Sequence, residues 1–152
     1  MKPLETTVEE VLRKAIQSEV ETRVYYQKLA ERAGAPEVRK RLLQLADGEL
    51  VHRARMERKY RETIGQAPPD PEPATVEIPA ETTNLDLPRA LKLALERERD
   101  SESYFRFMAE RVPDTELGRL FMELAETEWK HKTDLQAEYD ASGAADRFLM
   151  DL

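Results

Sequence analysis

The segment Leu45-Ala-Asp-Gly-Glu-Leu-Val-His52 contains a pattern that returns later in the chain as Leu124-Ala-Glu-Thr-Glu-Trp-Lys-His131. In each copy a glutamate precedes a histidine by three residues, and on a helix residues three apart lie on the same face. The 152-residue chain has 2 histidines, and both stand in this motif. Two helices therefore present the same pair of groups, a carboxylate and an imidazole.

The similarity between the two halves of the chain extends far beyond this motif. A shift of 79 residues, without a gap, aligns residues 12–60 with residues 91–139 and gives 13 identities over 49 positions. The acidic residues and the histidines of the two halves correspond in pairs: Glu19 with Glu98, Glu49 with Glu128, and His52 with His131. This period is much longer than that of a solenoid repeat, so the two copies indicate a bundle with internal two-fold pseudosymmetry.

Four segments carry helix periodicity, and residues that cap or break helices mark their ends. The predicted helices span about residues 8–33, 37–64, 87–112 and 115–141. Thr7 and Glu10 form a capping box before the first helix, Gly65 ends the second, and Pro88 lies in the first turn of the third. Only a few residues join the helices within each pair, so the paired helices are antiparallel neighbours.

The segment 65–85 connects the two pairs in a different way. It contains 5 prolines and shows no helix period. About 20 extended residues reach roughly 65 Å at ~3.3 Å each, whereas a helix of about 26 residues is only ~39 Å long. The connection is therefore long enough to cross the whole bundle and to begin the third helix at the opposite end.

These elements predict a single all-α domain, a four-helix bundle with a long crossover between the second and third helices. Its parts, within residues 1–152, are a first hairpin over about 8–64, a crossover over 65–85, a second hairpin over about 86–142 and a C-terminal arm over 143–152.

The composition fits long helices with solvated outer faces and excludes several classes of function. Charged residues make up 36% of the chain, and its formal net charge is -7. An acidic surface argues against a nucleic acid partner, because phosphates require basic patches. The absence of cysteine excludes disulfides and thiolate metal sites. No stretch has the length and apolar character of a membrane span or a secretory signal, so we expect a cytoplasmic protein.

The paired glutamates and histidines suit two divalent metal ions, because carboxylates can bridge two ions and each imidazole can bind one. A single glutamate or histidine on a helix is usually solvated, but these residues share helix faces with apolar side chains such as Leu42 and Phe121. Carboxylates on an apolar face are costly unless they are paired or bind metal. Without metal, their mutual repulsion should raise their pKa values. The predicted metal ligands are Glu19, Glu49, His52, Glu98, Glu128 and His131.

The segments 15–33 and 42–52, with their counterparts in the second half, resemble the rubrerythrin family of ferritin-like proteins. The pattern Ala-Ile-x-x-Glu-x-x-x-x-x-Tyr-Tyr-x-x-Leu-Ala, followed by Leu-Ala-x-x-Glu-x-x-His, carries this resemblance over nearly the whole chain. The resemblance implies a ferritin-like bundle that binds two iron ions. It implies that Glu49 and Glu128 bridge the ions, that Glu19 and Glu98 are terminal ligands, and that each histidine binds one ion.

The chain departs from the family's pattern in two places. Rubrerythrins usually carry an additional rubredoxin domain with a four-cysteine iron site, and this chain has no cysteine, so its electrons must come from a separate donor protein. The family also has a further glutamate three residues before the terminal ligand of the third helix, where this chain has Leu95. Glu102, one turn after Glu98, is the available substitute, but we expect it to form an ion pair with Arg99 or Arg106.

The resemblance implies an oxidoreductase that reduces hydrogen peroxide or dioxygen at a di-iron centre. Manganese and zinc are alternatives to iron, because oxygen and nitrogen ligands do not distinguish among these metals. Two other functions stay open, a ferroxidase or iron-storage protein and a metal-stabilised bundle without enzymatic activity. We expect a homodimer that has neither nucleic acid nor membrane partners.

No catalytic residue is expected beyond the metal ligands, with one candidate for a supporting role. Tyr26 lies seven residues after Glu19, two turns along the same helix face, and could donate a hydrogen bond to a ligand carboxylate. Simple packing in the core is the default role for this side chain.

Overall fold

Four α-helices form two antiparallel hairpins in the computed structural model, which describes residues 7–112 and 114–143. The helices are α1 (Val8–Glu31), α2 (Pro36–Ile64), α3 (Leu87–Arg111) and α4 (Thr115–Ala141). The described residues contain no strand, and the prediction of an all-α four-helix bundle is confirmed. The predicted C-terminal arm falls almost entirely outside the described residues.

Local hydrogen bonds explain where the helices begin and end. The side chains of Thr7, Asp86 and Asp114 accept hydrogen bonds from backbone N–H groups at the starts of α1, α3 and α4, at 3.2, 2.9 and 2.8 Å. Each bond satisfies a donor that the first turn of a helix leaves unpaired. Gly65 ends α2 in the left-handed region at φ 84°, a conformation that favours glycine.

The crossover runs along α1, as its length predicts. The side-chain amide of Gln17 donates to the carbonyl of Glu72 at 3.0 Å and accepts from its N–H at 2.9 Å. At the far end, Leu85 is bonded to the turn between α1 and α2, donating to the carbonyl of Arg32 and accepting from the N–H of Gly34. The backbone of Asn84 lies so near Gly34 that a Cβ added to Gly34 would stand 3.0 Å from the carbonyl carbon of Asn84.

The core consists of two apolar clusters that lie on either side of a polar layer. The first cluster includes Leu29, Leu42, Leu91 and Leu135. The second includes Leu12, Met56, Phe105, Phe121 and Leu124. Between them, near the middle of each helix, are the buried acidic residues and one buried histidine. No helix among the described residues is long and apolar enough to cross a membrane.

Candidate metal centre

The polar layer contains all six side chains that the sequence predicts as metal ligands. α1 supplies Glu19, α2 supplies Glu49 and His52, α3 supplies Glu98, and α4 supplies Glu128 and His131. Each of the first five is exposed by no more than 3%. His131 lies at the edge of the layer, where 38% of its side chain is exposed. The apolar faces of four helices therefore bring these polar groups into the interior of the bundle.

Two overlapping groups of ligand atoms lie close enough to hold a metal ion. One carboxylate oxygen each from Glu19, Glu49 and Glu128 and one ring nitrogen of His52 lie within 4.8 Å of one another. The ligand atoms of His52, Glu128 and His131 form a second group within the same limit. The two groups share His52 and Glu128. They could therefore bind neighbouring ions with Glu128 between them.

His52 is the centre of the first group. Its Nδ1 lies 2.9 Å from Oε1 of Glu128, and 3.8 Å from a carboxylate oxygen of both Glu19 and Glu49. The rings of His52 and His131 are stacked, with centroids 5.7 Å apart and planes inclined by 8°. The partly exposed His131 thus lies next to the buried residues, and its Nδ1 is 4.0 Å from Oε2 of Glu128.

Glu98 stands slightly apart from the other acidic residues. Among the described residues it belongs to neither group of converging ligand atoms. Its Oε1 accepts a hydrogen bond of 3.1 Å from the hydroxyl of Tyr26, which is fully buried. The structure therefore shows Tyr26 contacting a predicted ligand and not merely packing in the core.

Several buried ligand atoms have no hydrogen-bond partner. They are Oε2 of Glu19, Oε2 of Glu49, Nδ1 of His52, Oε2 of Glu98 and both carboxylate oxygens of Glu128. The 2.9 Å contact between Nδ1 of His52 and Oε1 of Glu128 is an ion pair that lacks hydrogen-bond geometry. Buried polar atoms are almost always hydrogen-bonded, since leaving them unpaired costs free energy. A pair of cations would satisfy these atoms, so this donor set fits two divalent ions with oxygen and nitrogen ligands.

The pKa values at this site reflect burial and the crowding of acidic groups. Burial raises the pKa of Glu49 well above its usual value, and the neighbouring carboxylate of Glu19 raises it further. The predicted rise in carboxyl pKa is thus confirmed for Glu49. Burial lowers the pKa of His52, but Glu128 and Glu19 outweigh this effect and raise it to about 9. Burial and the nearby His52 lower the pKa of His131.

Glu102 does not join the centre. Its two carboxylate oxygens accept hydrogen bonds from Nε of Arg106 at 2.8 Å and from Nζ of Lys132 at 2.7 Å. The predicted ion pair with Arg106 is confirmed, and the contact with Lys132 was not predicted. Burial raises the pKa of Glu102, but the two cations outweigh this effect and lower it. Leu95, where rubrerythrins have a glutamate, is buried and apolar.

The fold and the site define a ferritin-like bundle with a carboxylate–histidine centre. The sequence matches the family described as rubrerythrin over residues 10–139, and the chain belongs to the rubrerythrin family. This family, like the bacterioferritins, binds a di-iron centre. No rubredoxin domain is evident in the chain. No curated protein matches the sequence significantly.

Three solved structures share the fold of this chain. A hypothetical protein from Pyrococcus furiosus is 25% identical, with 92% of this chain and 95% of that chain covered and a TM-score of 0.64. A conserved protein from Magnetospirillum magnetotacticum is 21% identical over 90% and 95% of the two chains, with a TM-score of 0.70. The bacterioferritin of Desulfovibrio desulfuricans, which has a di-iron site, is 20% identical over 95% and 85%, with a TM-score of 0.66.

Proposed function

We propose that this protein is a di-iron oxidoreductase that reduces hydrogen peroxide, and more slowly dioxygen, with electrons from a separate donor protein. The observation that carries the proposal is the set of buried carboxylate and imidazole atoms that have no hydrogen-bond partner. Membership of the rubrerythrin family supports iron as the metal. The absence of cysteine from the chain supports a separate donor.

The residues of the polar layer would divide the binding of two ions among them. Glu128 lies in both groups of ligand atoms and would bridge the ions. Membership of the rubrerythrin family supports the same role for Glu49. Glu19 and His52 would bind the first ion, and His131 with Glu98 the second. When bound, a pair of ferrous ions supplies the two electrons that, with two protons, reduce one hydrogen peroxide to two water molecules.

The surrounding protein would support this chemistry in two ways. The hydroxyl of Tyr26 would fix the orientation of Glu98 by donating a hydrogen bond to Oε1, as residues behind metal ligands commonly do. The apolar clusters on both sides of the polar layer, which include Phe105 and Leu42, surround the centre with groups of low polarity. Such surroundings strengthen the electrostatic interactions between ligands and ions.

A stopped-flow experiment tests this proposal. Ion-free protein is loaded anaerobically with two equivalents of Fe(II) and mixed with hydrogen peroxide or with dioxygen, while near-ultraviolet absorbance follows oxidation of the iron. We expect oxidation by peroxide to be faster than oxidation by dioxygen. Faster reaction with dioxygen, and release of Fe(III) into a storage form, would instead indicate a ferroxidase or iron-storage protein.

Two double variants provide the controls for this experiment. Glu49→Ala with Glu128→Ala should abolish both iron binding and oxidation. The matched variant Glu62→Ala with Glu126→Ala removes two exposed glutamates of the same helices and should behave as the wild type. If the first double variant still bound two ions, or if the wild type bound none, the proposed function would be wrong and a helical bundle without a metal centre would be left.

A further inference from the structure

A narrow cleft opens between α2 and α4 at the level of the metal centre. Its volume is about 150 Å³, more than the space that one water molecule occupies. Residues of both helices line it, and so do three of the predicted ligands, Glu49, Glu98 and His131. The partial exposure of His131 has its explanation here, because this side chain lies in the wall of the cleft.

The seam between α2 and α4 is closed on both sides of this cleft by ion pairs. Arg41 pairs with Glu138 at 2.9 Å, and the Arg55 guanidinium pairs with the Glu123 carboxylate. Lys59 closes the seam further along. Arg41 and Arg55 are 14 positions apart, or about 21 Å along the helix. Within the part of the chain that the structure describes, no ion pair of an arginine or a lysine joins α2 to α4 between Arg41 and Arg55.

Gly48 stands in this interval, in the interior of α2, and lines the cleft. Glycine in the interior of a helix lowers its stability relative to alanine. Close packing does not require glycine here, since a Cβ added at Gly48 would have no atom within 4 Å. The absence of a side chain leaves open a space that leads from the surface to Glu49 and Glu98.

We infer that this cleft is the route by which metal ions and small oxidants reach the centre, and that it stays open because position 48 carries no large side chain. The inference rests on the proposed function, because it concerns access to the same ions. Asp134 lies at the cleft one turn after His131, and the positive charge of Arg41 is balanced by Glu138. The mouth therefore offers a negative charge that attracts cations. The crossover, in contrast, forms its hydrogen bonds along α1.

Cobalt uptake by the ion-free protein tests this route without depending on activity. Binding of Co(II) is followed by visible absorbance in a stopped-flow instrument, and the final number of bound ions is measured after equilibration. Gly48→Phe should bind as many ions as the wild type but several times more slowly. Gly48→Ala, whose methyl group is too small to fill the cleft, should bind at close to the wild-type rate. Ala54→Phe, which introduces the same side chain at an exposed position of α2, is the matched control and should not slow uptake.

A second variant covers the case in which Gly48→Phe misfolds or binds fewer ions. Gln44→Trp places a large side chain in the same cleft from an exposed position one turn earlier, and it too should slow uptake several times. Wild-type uptake rates in a folded Gly48→Phe or in Gln44→Trp would overturn the route while leaving the proposed function intact. Failure of the wild-type protein to bind a pair of cobalt ions would overturn the proposed function and the route together.

Discussion

The hydroxyl of Tyr26 on α1 lies 3.1 Å from Oε1 of Glu98 on α3 and donates a hydrogen bond to it. The contact joins the two hairpins directly at the candidate metal centre, and its acceptor is the one predicted ligand that stands apart from the converging groups. The tyrosine is fully buried, and burial together with the charges of Glu49 and Glu128 raises its pKa well above the usual value. Tyr26 is therefore a neutral hydrogen-bond donor at any physiological pH.

Removing this hydroxyl should weaken metal binding at one of the two positions. Tyr26→Phe leaves the ring in place, but Glu98 loses its partner, and loss of such a supporting hydrogen bond typically lowers metal affinity about 10- to 100-fold. Calorimetric titration of the ion-free protein with Co(II) should show one weakened site. Tyr25→Phe, on the neighbouring residue, is the control and should leave both affinities unchanged. Equal affinities in Tyr26→Phe would show that its hydroxyl does not position a ligand.

Metal binding should release protons and become tighter as the pH rises. The pKa of His52 is raised to about 9, so the ion-free protein carries a proton on this ring at pH 7.5. A metal ion must displace that proton, and apparent affinity should therefore increase by about tenfold per pH unit for each proton released, up to the pKa. Titrations in buffers of different ionisation enthalpy measure the number of protons. Binding without proton release at pH 7.5 would contradict a protonated His52.

The acidic residues of the centre should destabilise the ion-free protein. Burial disfavours the ionised form of Glu49, and a buried oxygen of Glu98 has no partner, so Glu49→Gln with Glu98→Gln should raise the stability of the ion-free protein by roughly 1–3 kcal/mol. The wild type should gain about 2.7 kcal/mol from free metal at 100 times its dissociation constant, and the double variant should gain nothing. Urea unfolding with and without Co(II) measures both effects. A double variant that is less stable than the ion-free wild type would argue that these carboxylates form favourable contacts.

Glu102 should stabilise the fold in a pH-dependent way. In the folded protein Lys132 and Arg106 lower the pKa of Glu102. The stabilisation that Glu102 gives is therefore fully present above the pKa of a glutamate in the unfolded chain, about 4.3. It is lost as the pH falls through the lower pKa that Glu102 has in the folded protein. Glu102→Gln should therefore cost about 1–2 kcal/mol at pH 7, allowing for the partial exposure of Arg106. The difference from the wild type should shrink below about pH 4.

Urea unfolding of this variant at pH 7 and pH 3 measures the effect. The surface variant Glu123→Gln, which removes an exposed partner of Arg55, is the control and should change stability by less than about 1 kcal/mol. A cost in Glu102→Gln that stayed constant between the two pH values would mean that Glu102 acts by packing and not by its charge.

The helices and most of the site could be predicted because their signals are local or repeated. Capping residues such as Thr7 and Asp114 act within four residues of their own position. The predicted ligands could be identified from the repeat, since a shift by 79 residues aligns Glu49 and His52 with their counterparts in α4. Helical spacing also predicted that Tyr26 lies on the same face as Glu19. Spacing alone could not show whether the Tyr26 side chain forms a hydrogen bond to a ligand or only packs in the core.

The features that the sequence did not predict depend on how the helices are rotated against one another. Lys132 contacts Glu102 across two helices, 30 positions apart. Glu98 occupies the same register as Glu19, yet it lies outside the groups of converging ligand atoms. It accepts a hydrogen bond from Tyr26, whereas Phe105, the counterpart of Tyr26 in the second half, has no hydroxyl to donate. The exposure of His131 follows from the cleft beside Gly48, and a cleft is a property of the packed seam.

Diffraction from metal-loaded crystals, with data collected on both sides of the iron absorption edge, tests the central claim most directly. The account predicts two anomalous peaks in the polar layer, with carboxylate oxygens of Glu49 and Glu128 between them and the rings of His52 and His131 each bound to one ion. A single peak, no peak, or ions bound only at the surface would contradict it.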